Sequence, residues 1–107
     1  MKVCITSYGP TLGSRPQSVF GRCEFFVFVD PATLEFVADP NPNAANSDFS
    51  GIMSAQYIIS KGATVLITDQ VGDKARAILA AANVEIVSSV KGTVREALEP
   101  FRSHLQS

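Results

Sequence analysis

The stretch SGIMSAQYIISKGATVLIT, Ser50 to Thr68, changes its hydrophobic period halfway along. Ile52, Ala55, Ile58 and Ile59 recur at the three-and-four spacing that gives an α-helix one apolar stripe. Lys61-Gly62 supplies the stop, because glycine takes the left-handed backbone that ends helices without steric cost. Ala63 to Thr68, ATVLIT, then reads as a strand: it is β-branched, short, and apolar enough to be buried on both faces. A helix running straight into a buried strand is half of a crossover unit, and it places the chain among the α/β proteins.

Working upstream, Lys2 to Ser7, KVCITS, is a first strand of the same buried kind. YGPTLGSRPQS, with two glycines and two prolines, reads as a loop. Phe25 to Asp30, FFVFVD, and Leu34 to Ala38, LEFVA, flank a Pro31-Ala32 turn and predict a hairpin-like pair. DPNPNAANSDFSG, residues 39–51, is the longest irregular segment. Downstream, Ala75, Ile78, Leu79 and Ala82 make the apolar stripe of a second helix, with Asn83 suited to its left-handed C-terminal cap. Val84 to Val87, VEIV, is a fifth strand. Thr93 and Glu96 have the spacing of a capping box that opens a third helix with Val94, Ala97, Leu98 and Phe101 inward. Pro100 is expected to kink or end that helix. The order β-β-β-α-β-α-β-α implies one α/β domain over 1–107, a mixed five-stranded sheet carrying three helices.

With 107 residues, 46% hydrophobic and 18% charged, the composition is that of a folded domain. A net charge of −1 and a single histidine, His104, leave no cationic excess to neutralise a phosphate backbone, so nucleic acid is not an expected partner. No apolar run reaches membrane length and MKVCITSYGP does not read as a signal peptide, so a cytoplasmic protein without membrane contact is expected. Two cysteines, Cys4 and Cys23, form no C-x-x-C pair, and no disulfide is expected in a reducing compartment. Two thiols and one histidine are also too few to ligate a four-ligand iron–sulfur centre in one chain, so any cluster must arrive assembled or be shared between chains.

Two kinds of position attract attention as a site. SVFGRCEFF, residues 18–26, sets a glycine, a fixed cation and a thiol side by side just before an apolar strand. Ser50-Gly51 and Val71-Gly72 open helices at the carboxyl ends of strands, where free N–H groups favour anions. Together Phe20, Gly21, Arg22, Cys23, Ser50, Gly51, Val71 and Gly72 would make a cradle for something negatively charged that also likes sulfur. Gly21 would admit the ligand, Arg22 balance its charge, and Cys23 bind metal if its thiolate is favoured. Each has a plainer reading. Phe20 is core or lid, Gly21-Arg22 is a turn with a surface cation, and Cys23 is a small buried thiol like mid-strand Cys4. Gly51 and Gly72 suit a helix start in any case, and Asp69 suits a cap.

The motifs FGRCEFFVFVD (20–30), SGIMSAQYIISKGATVLIT (50–68), VGDKA (71–75) and NVEIV followed by KGTVREAL resemble, in order and spacing, the nitrogenase iron–molybdenum-cofactor-binding family of NifX/NafY-like domains. The resemblance covers nearly the whole chain. It implies a ribonuclease-H-like fold and a non-catalytic carrier of an iron–molybdenum–sulfur or iron–sulfur cluster, exchanged with donor and acceptor proteins by a monomer or weak homodimer. Where cofactor-carrying members have a histidine before F-G-R, and many stand-alone members an arginine, this chain has Val19; a usual glycine after the fourth strand is Asp69. These departures keep a second function open: an interaction or regulatory module without cofactor, using exposed Phe residues around 20–28 or an edge strand at 34–38. Two-metal phosphoryl transfer, which the same architecture hosts, needs converging carboxylates. KVCITS and Ile52–Ser60 contain none, so no catalytic residue is expected.

Overall fold

The computed structural model describes residues 1–42, 50–88 and 92–106. Residues 43–49 of the long irregular segment, and the side chains of Ser50 and His104, lie outside that description. The elements follow as β1 (Val3–Ser7), β2 (Phe25–Val29), β3 (Phe36–Pro40), α1 (Ser50–Ser60), β4 (Val65–Ile67), α2 (Asp73–Ala81), β5 (Glu85–Val87) and α3 (Val94–Gln106). One sheet orders the strands β3-β2-β1-β4-β5. β1 pairs antiparallel with β2, and β2 with β3, while β1, β4 and β5 run parallel.

Alternation along each strand divides the core in two. Cys4, Phe26, Phe28 and Leu66 share a face with Ala55 and Ile58 of α1 and Ala75 and Leu79 of α2. Val3, Ile5, Val27, Val29, Val65 and Ile67 face Val94, Ala97 and Leu98 of α3. With helices over both faces, the central strands are wholly buried, and for that reason their sequences show no polar alternation.

Local chemistry sets the ends of the elements. Gly62 (φ 86°) and Asn83 (φ 60°) take the left-handed backbone where α1 and α2 finish. Thr93 and Glu96 form the reciprocal box: the Glu96 amide donates to Thr93 Oγ1 at 3.2 Å, and the Thr93 amide to Glu96 Oε1 at 3.1 Å. Two expectations are corrected and a third is narrowed. β3 begins at Phe36 rather than Leu34, because Leu34 (φ 64°) donates its N–H back to the Asp30 carbonyl at 2.7 Å and belongs to the turn. Ala82 is exposed just beyond α2 and takes no part in its buried stripe. Pro100 does not end α3, which continues to Gln106; Val94, Ala97 and Leu98 anchor its buried face while Pro100 lies on the exposed one.

Candidate functional site

The carboxyl end of the parallel strands is crossed by the segment that leads to β2. Gln70 donates its amide to the Ser18 carbonyl at 2.8 Å, and Phe20 donates to the Gln70 carbonyl at 2.9 Å. This short parallel ladder, Val19 against Gln70, holds the SVFGRC stretch beside the β4–α2 turn. The Phe20 side chain goes inward, its ring 6.1 Å from that of Phe26. The chain then reverses: the Arg22 amide donates to the Val19 carbonyl at 3.3 Å, with Gly21 at φ 93° in the third position of the turn. An L side chain there would be strained, so the turn requires glycine. Its effect is to send Arg22 outward and Cys23 inward.

Arg22 meets the helix starts. A cleft of about 350 Å³ lies between Phe20 and Arg22, Gly51 and Ile52 of α1, and Gly72 to Lys74 of α2. An adjoining lobe of about 430 Å³ shares Val19, Phe20 and Gly72 and extends over Asp69–Val71 to Arg76. Gly72 is the N-cap of α2 and, among the described residues, no side-chain cap hydrogen bond is made there, so first-turn N–H groups are left for a ligand. A Cβ on Gly72 would meet nothing within 4 Å, whereas one on Gly51 would touch Ala75 at 3.6 Å. Gly72 thus keeps the cleft floor bare, while a side chain at Gly51 would make only ordinary contact with α2. The α3 start is different: Val94 and Arg95 donate to the carbonyls of Ser14 and Leu12, and the Thr93–Glu96 box closes the remainder. Arg22, Lys74 and Arg76 outnumber Asp69 and Asp73 around the two lobes, and the α2 dipole adds to that positive excess.

The structure therefore brings together Phe20, Arg22, Gly51, Val71 and Gly72, with Gly21 as the turn that aims Arg22. Cys23 stands apart from them. It is fully buried and lines neither lobe. Burial raises its thiol to about 12, although the Asn41 amide, 3.9 Å from Sγ, works the other way. Burial at this position favours the neutral thiol. Cys4 is likewise held well above its ordinary value, first by burial. Among the described residues no three His, Cys, Asp or Glu side chains gather as a metal site.

Sequence reasoning missed Asn41, Lys74 and Arg76. The Asn41 side chain donates to the carbonyls of Gly21 and Cys23, both at 3.0 Å, and its own amide donates to the Glu24 carbonyl at 2.9 Å. In the sequence it is one Asn in an Asn- and Pro-rich run, with nothing to separate it from turn composition. Lys74 and Arg76 follow VGD as an ordinary helix surface, and only the placement of Val19–Phe20 gives them a cleft to border.

A family model described as dinitrogenase iron-molybdenum cofactor matches residues 1–104. The apo form of the orange protein from Desulfovibrio gigas is 34% identical over 96% of this chain and 88% of its own, with a TM-score of 0.89. A Thermotoga protein provisionally described as a NifB protein of the DUF35 family is 32% identical over 95% and 87%, with a TM-score of 0.79. No curated protein matches the sequence.

Proposed function

The chain belongs to the dinitrogenase iron-molybdenum cofactor family, and from that premise we propose that it is a non-catalytic carrier of an anionic metal–sulfur cluster. The cargo is an iron–molybdenum cofactor or an iron–sulfur precursor, received from a donor protein and passed to an acceptor. One observation carries this reading: Arg22, the bare N-terminus of α2 at Gly72 and the Gly51 end of α1 border a single cleft. Bridged sulfides carry net negative charge, and guanidinium, ammonium and peptide N–H groups match it without forming a covalent bond.

The donor set favours a cluster that arrives with its sulfide ligands complete. Among the described residues neither lobe is lined by cysteine or histidine, so the protein's share is charge, peptide amides and the apolar Val19 edge. A hold of that kind suits transfer, since release breaks no metal–protein bond. The family relation supports a non-catalytic role, and the strand order β3-β2-β1-β4-β5 supports a ribonuclease-H-like reading of the architecture. No helix among the described residues is long and apolar enough to cross a membrane, which agrees with a cytoplasmic carrier.

Anaerobic incubation of the purified protein with tetrathiomolybdate, or with iron and sulfide, tests the proposal. A visible absorption band that co-elutes with protein is expected. Protein that stays colourless with both reagents overturns the carrier reading and favours the interaction module.

A further inference from the structure

A larger cleft, of about 470 Å³, lies away from the cluster site, beside edge strand β3. Val37 (61% exposed) and Phe36 (41% exposed) border it, and Phe28 forms its inner wall. The bonded pairs that flank the β2–β3 ladder, Asn41 with Glu24 and Asp30 with Glu35, fix which backbone groups point outward. Odd-numbered residues of β3 turn their N–H and C=O groups toward β2, so Phe36 and Ala38 present theirs at the outer edge, which no strand among the described residues covers. Pro40 has no N–H to offer and closes that edge after two donors.

We infer that β3 is a docking edge for an extended segment of a partner protein in which two basic residues flank an apolar one, at alternating positions. Such a strand, entering antiparallel, bonds to Phe36 and Ala38 and sets its side chains against Glu35, Val37 and Asp39, all on one face. These three read acid, apolar, acid. The Glu35 carboxylate has no partner among the described residues. Asp39 receives the Tyr57 hydroxyl on Oδ2 at 2.8 Å, with Lys61 3.9 Å from the same oxygen, which leaves Oδ1 for the incoming cation. Opposite charges directly across two strands attract, and like charges repel.

The same pattern argues against a second copy as the occupant. Two-fold pairing that satisfies every donor sets Asp39 against Glu35 of the other chain. Shifting the register by one residue per chain sets Pro40 against Phe36 and leaves the Phe36 carbonyl without a donor. A basic–apolar–basic strand meets neither obstacle. This inference does not rest on the cluster reading.

The test is titration of isotope-labelled protein, followed by amide NMR, with the acetylated peptide TKTVTKT. Shifts concentrated at Phe36, Val37 and Ala38 are expected, with silence from TETVTET. The exposed change Glu35→Lys should weaken TKTVTKT about fivefold. It should also create binding of TKTVTET, whose glutamate lies opposite position 35 in the antiparallel register, but not of TETVTKT. Any of four results overturns the inference: no shifts at about 1 mM peptide, equal response to both charge patterns, shifts centred on Arg22 and Gly72, or self-association of the free protein through β3.

Discussion

The side-chain amide of Asn41 donates to the carbonyl of Gly21 at 3.0 Å, and so ties the end of β3 to the turn that aims Arg22 into the cleft. The same nitrogen reaches the Cys23 carbonyl, and both acceptors are buried. Asn41→Ala leaves those carbonyls unsatisfied, which costs about 1–3 kcal/mol each way such groups have been probed. The expected outcome is a lowered urea midpoint with an unchanged m-value, together with weaker cluster retention because Arg22 is no longer fixed. Unchanged retention in a destabilised but folded variant would separate the staple from the site.

Gly21 is the next point of leverage. At φ 93° it occupies backbone space that L residues enter only with strain. Gly21→Ala is expected to lose about 1–2 kcal/mol of stability, read from thermal unfolding. Gly72→Ala is the matched control for stability: its φ is −65° and nothing lies where the Cβ would go. That variant should fold with a loss of only about 0.5–1 kcal/mol, because alanine is a poorer N-cap than glycine, and yet hold an anionic cluster less tightly, since the new methyl stands where first-turn amides meet the ligand.

Gly62, Asn83 and the Thr93–Glu96 box were legible in the sequence because local backbone chemistry dictates them whatever surrounds them. The buried strands were legible from their continuous apolar runs. The start of β3 was not, since Leu34 and Glu35 alternate like a strand while the Asp30 turn claims their backbone. The cleft was half legible. Glycine at a helix start shows in the sequence, but the inward turn of Cys23 depends on a reversal at Gly21 and a staple from Asn41, eighteen residues further on in the chain.

The two thiols yield a pH prediction. Cys23 titrates at about 12 in the folded chain against an ordinary 9.0, with burial as the first cause, and Cys4 is displaced in the same direction. A folded-state value above the unfolded one means that the neutral thiol is favoured by folding. Its contribution is complete below pH 9.0 and is lost progressively as pH rises from there toward about 12. Unfolding free energy should therefore decline across that alkaline window, and Cys23→Ala should reduce the slope by up to about 1.4 kcal/mol per pH unit. At pH 8 iodoacetamide should label neither cysteine in native protein and both in urea; prompt native labelling of Cys23 would contradict its placement.

Arg22 and Cys23 are sequence neighbours with opposite expected effects on cluster binding. Arg22 borders the cleft and supplies a permanent cation, so Arg22→Ala should weaken retention of tetrathiomolybdate about tenfold while leaving the unfolding midpoint nearly unchanged, because the side chain is exposed. Arg22→Lys should recover part of the loss, since charge survives but the planar fork does not. Cys23→Ala should retain colour, because the thiol is buried, protonated and off the cleft wall. Raising salt should weaken parent retention more than that of Arg22→Ala, as screening acts on the charge that the variant lacks. Loss of colour in Cys23→Ala with full retention in Arg22→Ala would reverse the assignment: the cluster would then be held by a sulfur bond that requires the FGRC turn to open, and charge at the helix starts would be incidental.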